Sequence, residues 1–384
     1  MSNTTVEAPG DVRLDRTRAG RYAARHVLWD ETSLDRVKAC GRRVVAKGQG
    51  VAVKVAVSPE GKRTAGYAGV QHCGSVWACP VCSAKIAEGR RVELAQAIAA
   101  WTAQGGKVAL ATFTMRHRKG QRLRTLWDAL TYAWSKTTSG RAWGKDKDLA
   151  GVEGWCRVVE VTEGEAGWHV HVHALIFLRP DAAGHFDTDE DRAGYLEGAM
   201  WGRWVNALNR KGLSALRSVG ADVKVLDGTA TPETALGDYF TKAVYRPTAE
   251  SASYEVARGD LKDGRFGNRT PFQILADLVA SGDLDDLDAW HEWERASVGR
   301  RQIGWSKGMR ALLLTEPEKD DQELADAERA GEVVATIDRD TYDQIVRERA
   351  DWLVLDAFQT SEQAGMETLL GLSARAAHRL SLTT

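Results

Sequence analysis

Three histidines alternate with valines in Trp168-His169-Val170-His171-Val172-His173, and the apolar run Ala174-Leu175-Ile176-Phe177 follows directly. Period-two alternation places the three imidazoles on one face of a β-strand and the valines on the other. Imidazole is a common ligand of catalytic metals, so a row of imidazoles on a rigid strand supplies half of a metal site. An earlier strand, Trp155–Thr162, joins it through the turn Glu163-Gly164-Glu165-Ala166-Gly167 to make a hairpin. Centring that turn between Glu165 and Ala166 sets Glu160 opposite His171, Val158 opposite His173 and Thr162 opposite His169. Glu160 then shares the histidine face. Two imidazoles and one carboxylate give a divalent metal three protein ligands and leave positions for a substrate oxygen. Glu163 is the competing carboxylate if the register slips, and His169 is a neighbour available as a further ligand or a support. A lone strand histidine is usually structural, but three in alternation opposite a glutamate favour the metal.

The cysteines carry a second chemistry. Cys79-Pro80-Val81-Cys82 is a Cys-x-x-Cys knuckle with Cys73 shortly upstream, and Cys40 and His72 compete to be the fourth ligand. Such spacing suits a closed tetrahedral Zn2+ site. Cys40 is favoured because Cys40-Gly41-Arg42 precedes a strand pair that returns the chain to Cys73. A redox role for the knuckle lacks the surrounding βαβ context. Lys62, Arg63, Lys85, Arg90 and Arg91 flank the cluster and suit a grip on duplex phosphates.

A third group is Leu236-Gly237-Asp238-Tyr239-Phe240-Thr241-Lys242. On a helix Tyr239 and Lys242 share a face, so the ammonium lies near whatever the phenol attacks. A phenol of pKa about 10 is a weak nucleophile at neutral pH, and a metal and a cation around a phosphate offset that weakness. Taken alone, Tyr-x-x-Lys is common in half-buried helices.

The elements that must position these groups follow from periodicity. Val44-Val45 and Val51–Val57 read as two strands joined by Gly48-Gln49-Gly50, and Ser83–Trp101 as a helix closed by Gly105-Gly106. Lys107–Met115 is a strand, Arg122–Trp134 a helix, Asp189–Asn209 a helix and Ala221–Leu226 a short strand; Thr231-Pro232-Glu233 opens another helix. With the hairpin, this gives the order β-α-β-β-α-β, so the expected fold class is α+β, a ferredoxin-like antiparallel sheet with helices. Beyond Pro247 the spacing predicts helices at Pro271–Leu278, Leu287–Val298 and Met309–Leu314, with Trp290, Trp293 and Trp305 as packing anchors. An acidic helix at Lys319–Ala330, a strand at Val333–Ile337 and two more helices complete the chain.

Composition is that of an ordinary globular protein, with 384 residues, 43% of them hydrophobic, 27% charged and a net charge of −1. No apolar run reaches bilayer length and the polar N-terminus lacks a signal-peptide core, so a cytoplasmic setting with no membrane partner is expected. The neutral total hides a polarity. Residues 1–125 carry about 22 Lys and Arg against about 9 Asp and Glu, and residues 315–384 about 7 against about 16.

The strand Leu110-Ala111-Thr112-Phe113-Thr114, the triplet His171-Val172-His173 and the Tyr239–Lys242 helix arrive in that order. In this the chain resembles the rolling-circle plasmid replication initiators of the His-hydrophobic-His (HUH) superfamily of single-strand nucleases. It looks most like the single-tyrosine branch of Gram-positive and actinobacterial plasmids. Cys73–Ile86 before the catalytic region and Gly299–Ser306 after it add to the resemblance, which spans residues 36–312.

The resemblance implies a nickase acting at the plasmid double-strand origin. Tyr239 is then the nucleophile, Lys242 the accompanying cation, and His171 and His173 the ligands of a catalytic Mg2+ or Mn2+, with Zn2+ structural. The products are a 5′-phosphotyrosyl adduct and a free 3′-hydroxyl, used with a host helicase and DNA polymerase. Relatives in this branch can carry a glutamate four residues before the tyrosine; here that position is Ala235, and Glu233 and Asp238 are the nearest carboxylates. Tyr245 is the reserve nucleophile. A conjugative relaxase or single-strand transposase shares the chemistry, but relaxases usually place the tyrosine before the histidines. A zinc-dependent DNA-binding regulator without chemistry is the other alternative.

The expected organisation is a flexible basic arm (1–35), a zinc-binding module (36–92), a nicking domain (93–250), a helical DNA-binding or packing region (251–314) and an acidic C-terminal region (315–384).

Overall fold

A computed structural model describes residues 17–45, 50–59, 61–226, 268–327 and 331–382. Its strands are β1 (Val51–Val57), β2 (Arg63–Ala68), β3 (Lys107–Thr114), β4 (Val152–Gly164), β5 (Gly167–Leu178), β6 (Ala221–Val225), β7 (Ile303–Trp305) and β8 (Glu332–Ile337). They form two sheets, ordered β2-β1-β8 and β6-β3-β5-β4-β7, with every neighbouring pair antiparallel. The fold is mixed α+β. Two compact units emerge: one of residues 84–274 and 288–318, the other of residues 1–83, 275–287 and 319–384. These cut the chain differently from the five expected segments. No helix among the described residues is long and apolar enough to cross a membrane.

In the unit containing the histidines, β3, β4, β5 and β6 combine with the helices Leu123–Thr137 and Asp189–Asn209 in the expected β-α-β-β-α-β order. The spatial order 6-3-5-4 is that of a ferredoxin-like sheet, and the short β7 adds to the free edge of β4. Local signals place the second helix: Thr188 caps it by accepting from the Asp191 N–H at 3.0 Å, and Asp189, Glu190 and Asp191 fill its first turn. A further helix, Gly140–Leu149, escapes the sequence reading because a single buried residue, Trp143, marks its apolar face.

Alternation divides this sheet into two faces. Phe113 packs between Trp134 and Trp204, ring centroids 6.3 and 5.4 Å away, and its cross-strand partner Val172 shares that face. Full burial of a side chain of this size contributes about 1.5–3 kcal/mol. The opposite face reads Val108-Leu110-Thr112-Thr114 on β3, His169-His171-His173-Leu175-Phe177 on β5 and Cys156-Val158-Glu160-Thr162 on β4. Its apolar half is sealed, since Leu110, Cys156, Val158, Leu175 and Phe177 form one buried cluster with Leu94, Ile98 and Trp101 of the Pro80–Thr102 helix and with Met309 and Leu313. Its polar half holds the histidines.

In the other unit the described part of the expected loose arm, residues 17–35, is corrected. Arg18–Glu31 is a helix, capped by Thr17, with Tyr22, Leu28 and Trp29 buried. Its charged residues hide its apolar face from a sequence reading, because Arg25 and His26 are themselves buried, at 3% and 4% exposure. Both pair with Asp351, His26 through Nε2 at 2.7 Å. Burial alone raises the Asp351 pKa, but Arg25 and His26 more than offset it and hold the carboxyl below the usual carboxylate range.

Asp351 opens the Asp351–Thr360 helix, and β8 pairs with β1. The acidic region therefore folds with N-terminal residues instead of standing apart. The predicted Val44-Val45 strand shrinks to one bridge between Val44 and Val70, and β1 takes β2 and β8 as its partners. The acidic helix is shorter than expected, Asp321–Asp326, and three helices follow β8 where two were expected, Arg339–Arg347, Asp351–Thr360 and Glu362–Leu382.

Candidate functional site

The hairpin has the register that counting from its turn predicts, with Glu160 paired to His171, Val158 to His173 and Thr162 to His169. Glu165 and Ala166 make the two-residue turn between the paired Gly164 and Gly167. Gly167, directly after the turn, has φ +85°, a left-handed conformation that glycine adopts freely and side chains resist. The Glu160 carboxylate lies 3.5 Å from His171 Nε2 and 3.3 Å from His173 Nε2. Two ligands held about 2.1 Å from a common ion stand roughly 3.0–3.4 Å apart between octahedral and tetrahedral geometry, so these three donors fit one divalent cation. All three ligand atoms lie within 4.8 Å of one another. The His171, His173 and Glu160 side chains are 12%, 8% and 18% exposed, which leaves the cluster reachable at the sheet surface. His171 Nδ1 is buried with no hydrogen-bond partner among the described residues.

Glu163, the competing carboxylate, is not part of this cluster. It pairs across the hairpin with Trp168, and its side chain holds Arg269 Nη2 at 3.1 Å. His169 shares the histidine face but stands one step away, its ring 4.9 Å from His171 and 4.9 Å from His117. Burial, and then the neighbouring His171 and His117, pulls its pKa down to about 4, so it is neutral near pH 7.

Sequence reading missed Thr112. Its Oγ1 meets His173 Nδ1 at 2.9 Å, from the position on β3 directly opposite His173. With Nδ1–H donated to the hydroxyl, the Nε2 lone pair faces Glu160 and any cation between them. The alternation Leu110-Thr112-Thr114 was the available signal, but it points at His173 only once β3 is known to neighbour β5. Thr112→Val is expected to weaken Mn2+ binding about 10- to 100-fold, and Thr112→Ser to restore it. Calorimetric titration of the two variants is the check; equal affinities would mean that the hydroxyl does not orient the imidazole.

The second cluster lies in the other unit. Cys40, Cys73, Cys79 and Cys82 are all buried and form one potential metal-ligand group. Cys40 Sγ lies 3.7 Å from Cys79 Sγ and 3.6 Å from Cys82 Sγ, and Cys73 Sγ lies 3.6 Å from Cys82 Sγ. Four thiolates at a Zn–S distance of about 2.3 Å define a tetrahedron with edges of about 3.8 Å, so the donor set fits zinc. The sulfurs compete for negative charge: hydrogen bonds from Cys73, Cys79 and Cys82 push the Cys40 thiol well down, while those with Cys40 and the other thiols push Cys79 up. A central cation relieves that competition. Trp29 fixes the Cys40 loop by donating Nε1–H to the Cys40 carbonyl at 2.9 Å. His72, the rival fourth ligand, instead places Nδ1 3.1 Å from Asp326. Cys156 is buried in the histidine-bearing unit and takes no part.

Tyr239, Lys242, Tyr245, Ala235, Glu233 and Asp238 lie outside the described residues. The chain enters that interval from Leu226, packed in the apolar cluster that covers the other half of the histidine-bearing face. It returns at Arg269, whose N–H and C=O bond the Glu163 backbone at 2.6 and 2.8 Å beside the hairpin turn.

Comparison with known proteins gives a consistent picture. The family described as "Replication protein" matches residues 67–352. "Protein rep" of Streptomyces lividans is 31% identical over 353 residues, covering 77% of this chain and 76% of that protein. A protein of Streptomyces cyanogenus described as "Neomycin resistance protein" is 30% identical over 231 residues, covering 51% of this chain and 49% of its own. No solved structure matches.

Proposed function

This chain belongs to the replication-protein family, and we propose that it initiates rolling-circle plasmid replication by nicking one strand of the double-strand origin. The observation that carries the reading is the Glu160–His171–His173 cluster on the open half of an otherwise sealed sheet face. Phosphoryl chemistry needs charge neutralised at the non-bridging oxygens and the nucleophile held in line. Bound here, Mg2+ or Mn2+ would supply Lewis-acid polarisation of the scissile phosphate.

The residues of the chain supply the rest. Glu160, His171 and His173 would hold the cation, and Thr112 holds the His173 ring in place through Nδ1. Tyr239 is the proposed nucleophile. Its phenolic oxygen loses its proton and bonds to phosphorus as the bond from phosphorus to the 3′-oxygen breaks. The 3′-oxygen takes a proton and leaves as a 3′-hydroxyl, and the 5′ end stays esterified to the tyrosine. Lys242, three residues after Tyr239 in the sequence, is the proposed cation that offsets charge on the phosphate. The 3′-hydroxyl then serves a host DNA polymerase, with a host helicase opening the duplex. The four-cysteine cluster is assigned to structural Zn2+.

The test uses a supercoiled plasmid carrying the origin, incubated with the protein and Mn2+. The expected product is an open circle with protein attached in SDS. His171→Ala is expected to remove the nick and keep origin binding. If wild-type protein binds the origin but never nicks it, the chain is a non-catalytic DNA-binding protein and the nicking reading fails.

A further inference from the structure

From the geometry around the histidine row we infer that the segment Arg116–Arg124 is a track for the phosphate backbone of the single DNA strand presented to the Glu160–His171–His173 cluster. The inference rests on the nicking reading and deepens it, naming where that strand lies. No Asp or Glu occurs between Glu93 and Asp128. Within this stretch Arg116, Arg118, Lys119, Arg122 and Arg124 are all exposed. Several other arginines in the same unit are spent on acids: Arg179 on Glu153, Arg203 on Asp146, Arg217 on Glu197, Arg310 on Glu93. None of the five exposed cations has such a partner among the described residues. An array of like charges left uncompensated raises the local potential and attracts a polyanion.

The segment is held in place. Arg116 N–H donates to the Ser214 carbonyl at 2.8 Å, Arg118 N–H to Gln121 Oε1 at 2.8 Å, and Leu123 N–H to Glu292 Oε1 at 2.8 Å. The backbone of Arg118 and Lys119 passes against Gly167, where an added Cβ would come within 3.2 Å of Lys119 Cα. His117, inside the segment, sets its ring edge-on to His169 at 4.9 Å, and His169, His171 and His173 continue the row at 4.9 and 4.8 Å. The cations therefore begin where the row of imidazoles ends.

The chemistry of the segment selects the partner. Five cations with no Phe, Tyr or Trp among Arg116–Arg124, and with the single imidazole, His117, set against His169, bind phosphates without a platform for stacking bases. The track supplies affinity and position and reads no sequence.

The experiment measures binding of labelled single-stranded oligonucleotides, one of origin sequence and one scrambled, to the full-length chain across a salt series. In R118E/K119E the slope of log affinity against log salt is expected to become shallower by about 1.4, at about 0.7 per lost phosphate contact. Affinity at about 100 mM salt should fall roughly tenfold or more, equally for both sequences. R122Q/R124Q, which removes charge without reversing it, should flatten the slope similarly. R141E/K145E, on the Gly140–Leu149 helix, should leave slope and affinity unchanged. An unchanged slope in both track variants, a loss confined to the origin sequence, or an equal loss in R141E/K145E overturns the track. The two readings separate: wild-type protein that forms no adduct while the track variants flatten the slope removes the nicking reading and keeps the track, and an adduct with an unmoved slope does the reverse.

Discussion

Tyr239→Phe is expected to abolish the SDS-stable protein–DNA adduct while origin affinity stays within about twofold. The substitution removes one oxygen, the atom proposed to bond phosphorus, and leaves ring volume and helix propensity nearly unchanged. Loss of a covalent nucleophile costs on the order of 10^4 or more in rate. Gel separation of labelled origin strand after SDS treatment measures this directly. Persistence of the adduct in Tyr239→Phe moves the nucleophile to Tyr245, and Tyr245→Phe then becomes the variant that loses it. The metal-binding side of the site is separable from this result. Tyr239→Phe should retain Mn2+ binding, because the three donors on β4 and β5 come together without any part of the residue 227–267 interval.

Cys79→Ser is expected to remove one equivalent of zinc per chain and to prevent cooperative folding of the unit formed by residues 1–83, 275–287 and 319–384. Apparent zinc-binding free energies of about 10–16 kcal/mol are as large as the whole stability of a typical domain, about 5–15 kcal/mol. Cys40 sits in the turn after Asp35–Lys38, Cys73 in the loop after β2, and Cys79 and Cys82 at the start of the Pro80–Thr102 helix. Four sulfurs thus tie three separate stretches together. Zinc released by chelator and counted per chain, with thermal unfolding followed in parallel, measures both effects. Cys156→Ser is the control, since Cys156 is buried away from the cluster; it should keep its zinc. Full zinc content in Cys79→Ser would reject the four-cysteine assignment.

Much of the histidine hairpin was legible in the residues themselves. Strand periodicity is two, and a turn bounded by Gly164 and Gly167 permits one register that puts Glu160 and the histidines on one face, so counting was enough. The Cys-x-x-Cys spacing is a signal of the same kind, because its two cysteines lie within a few residues of one another. Glu163 shows the same logic in reverse. Its odd position sets it opposite Trp168, and Arg269 occupies its carboxylate.

The sequence by itself determined which side chains alternate, which residues start helices and which donors fall within one hairpin or one knuckle. Only the tertiary structure decided that β3 lies beside β5, and with it that Thr112 meets His173 across 61 residues of chain. It also decided that Arg25 and His26 find Asp351 more than 320 residues away, turning an expected arm and an expected tail into parts of one unit. The physical reason is the same in both cases. Backbone geometry and local hydrogen bonds are written into neighbouring residues, whereas strand adjacency and buried charge pairing depend on which surfaces the whole chain can remove from water together. The sequence could therefore name the donors of both candidate metal sites, and the fold supplied the groups that hold and surround them.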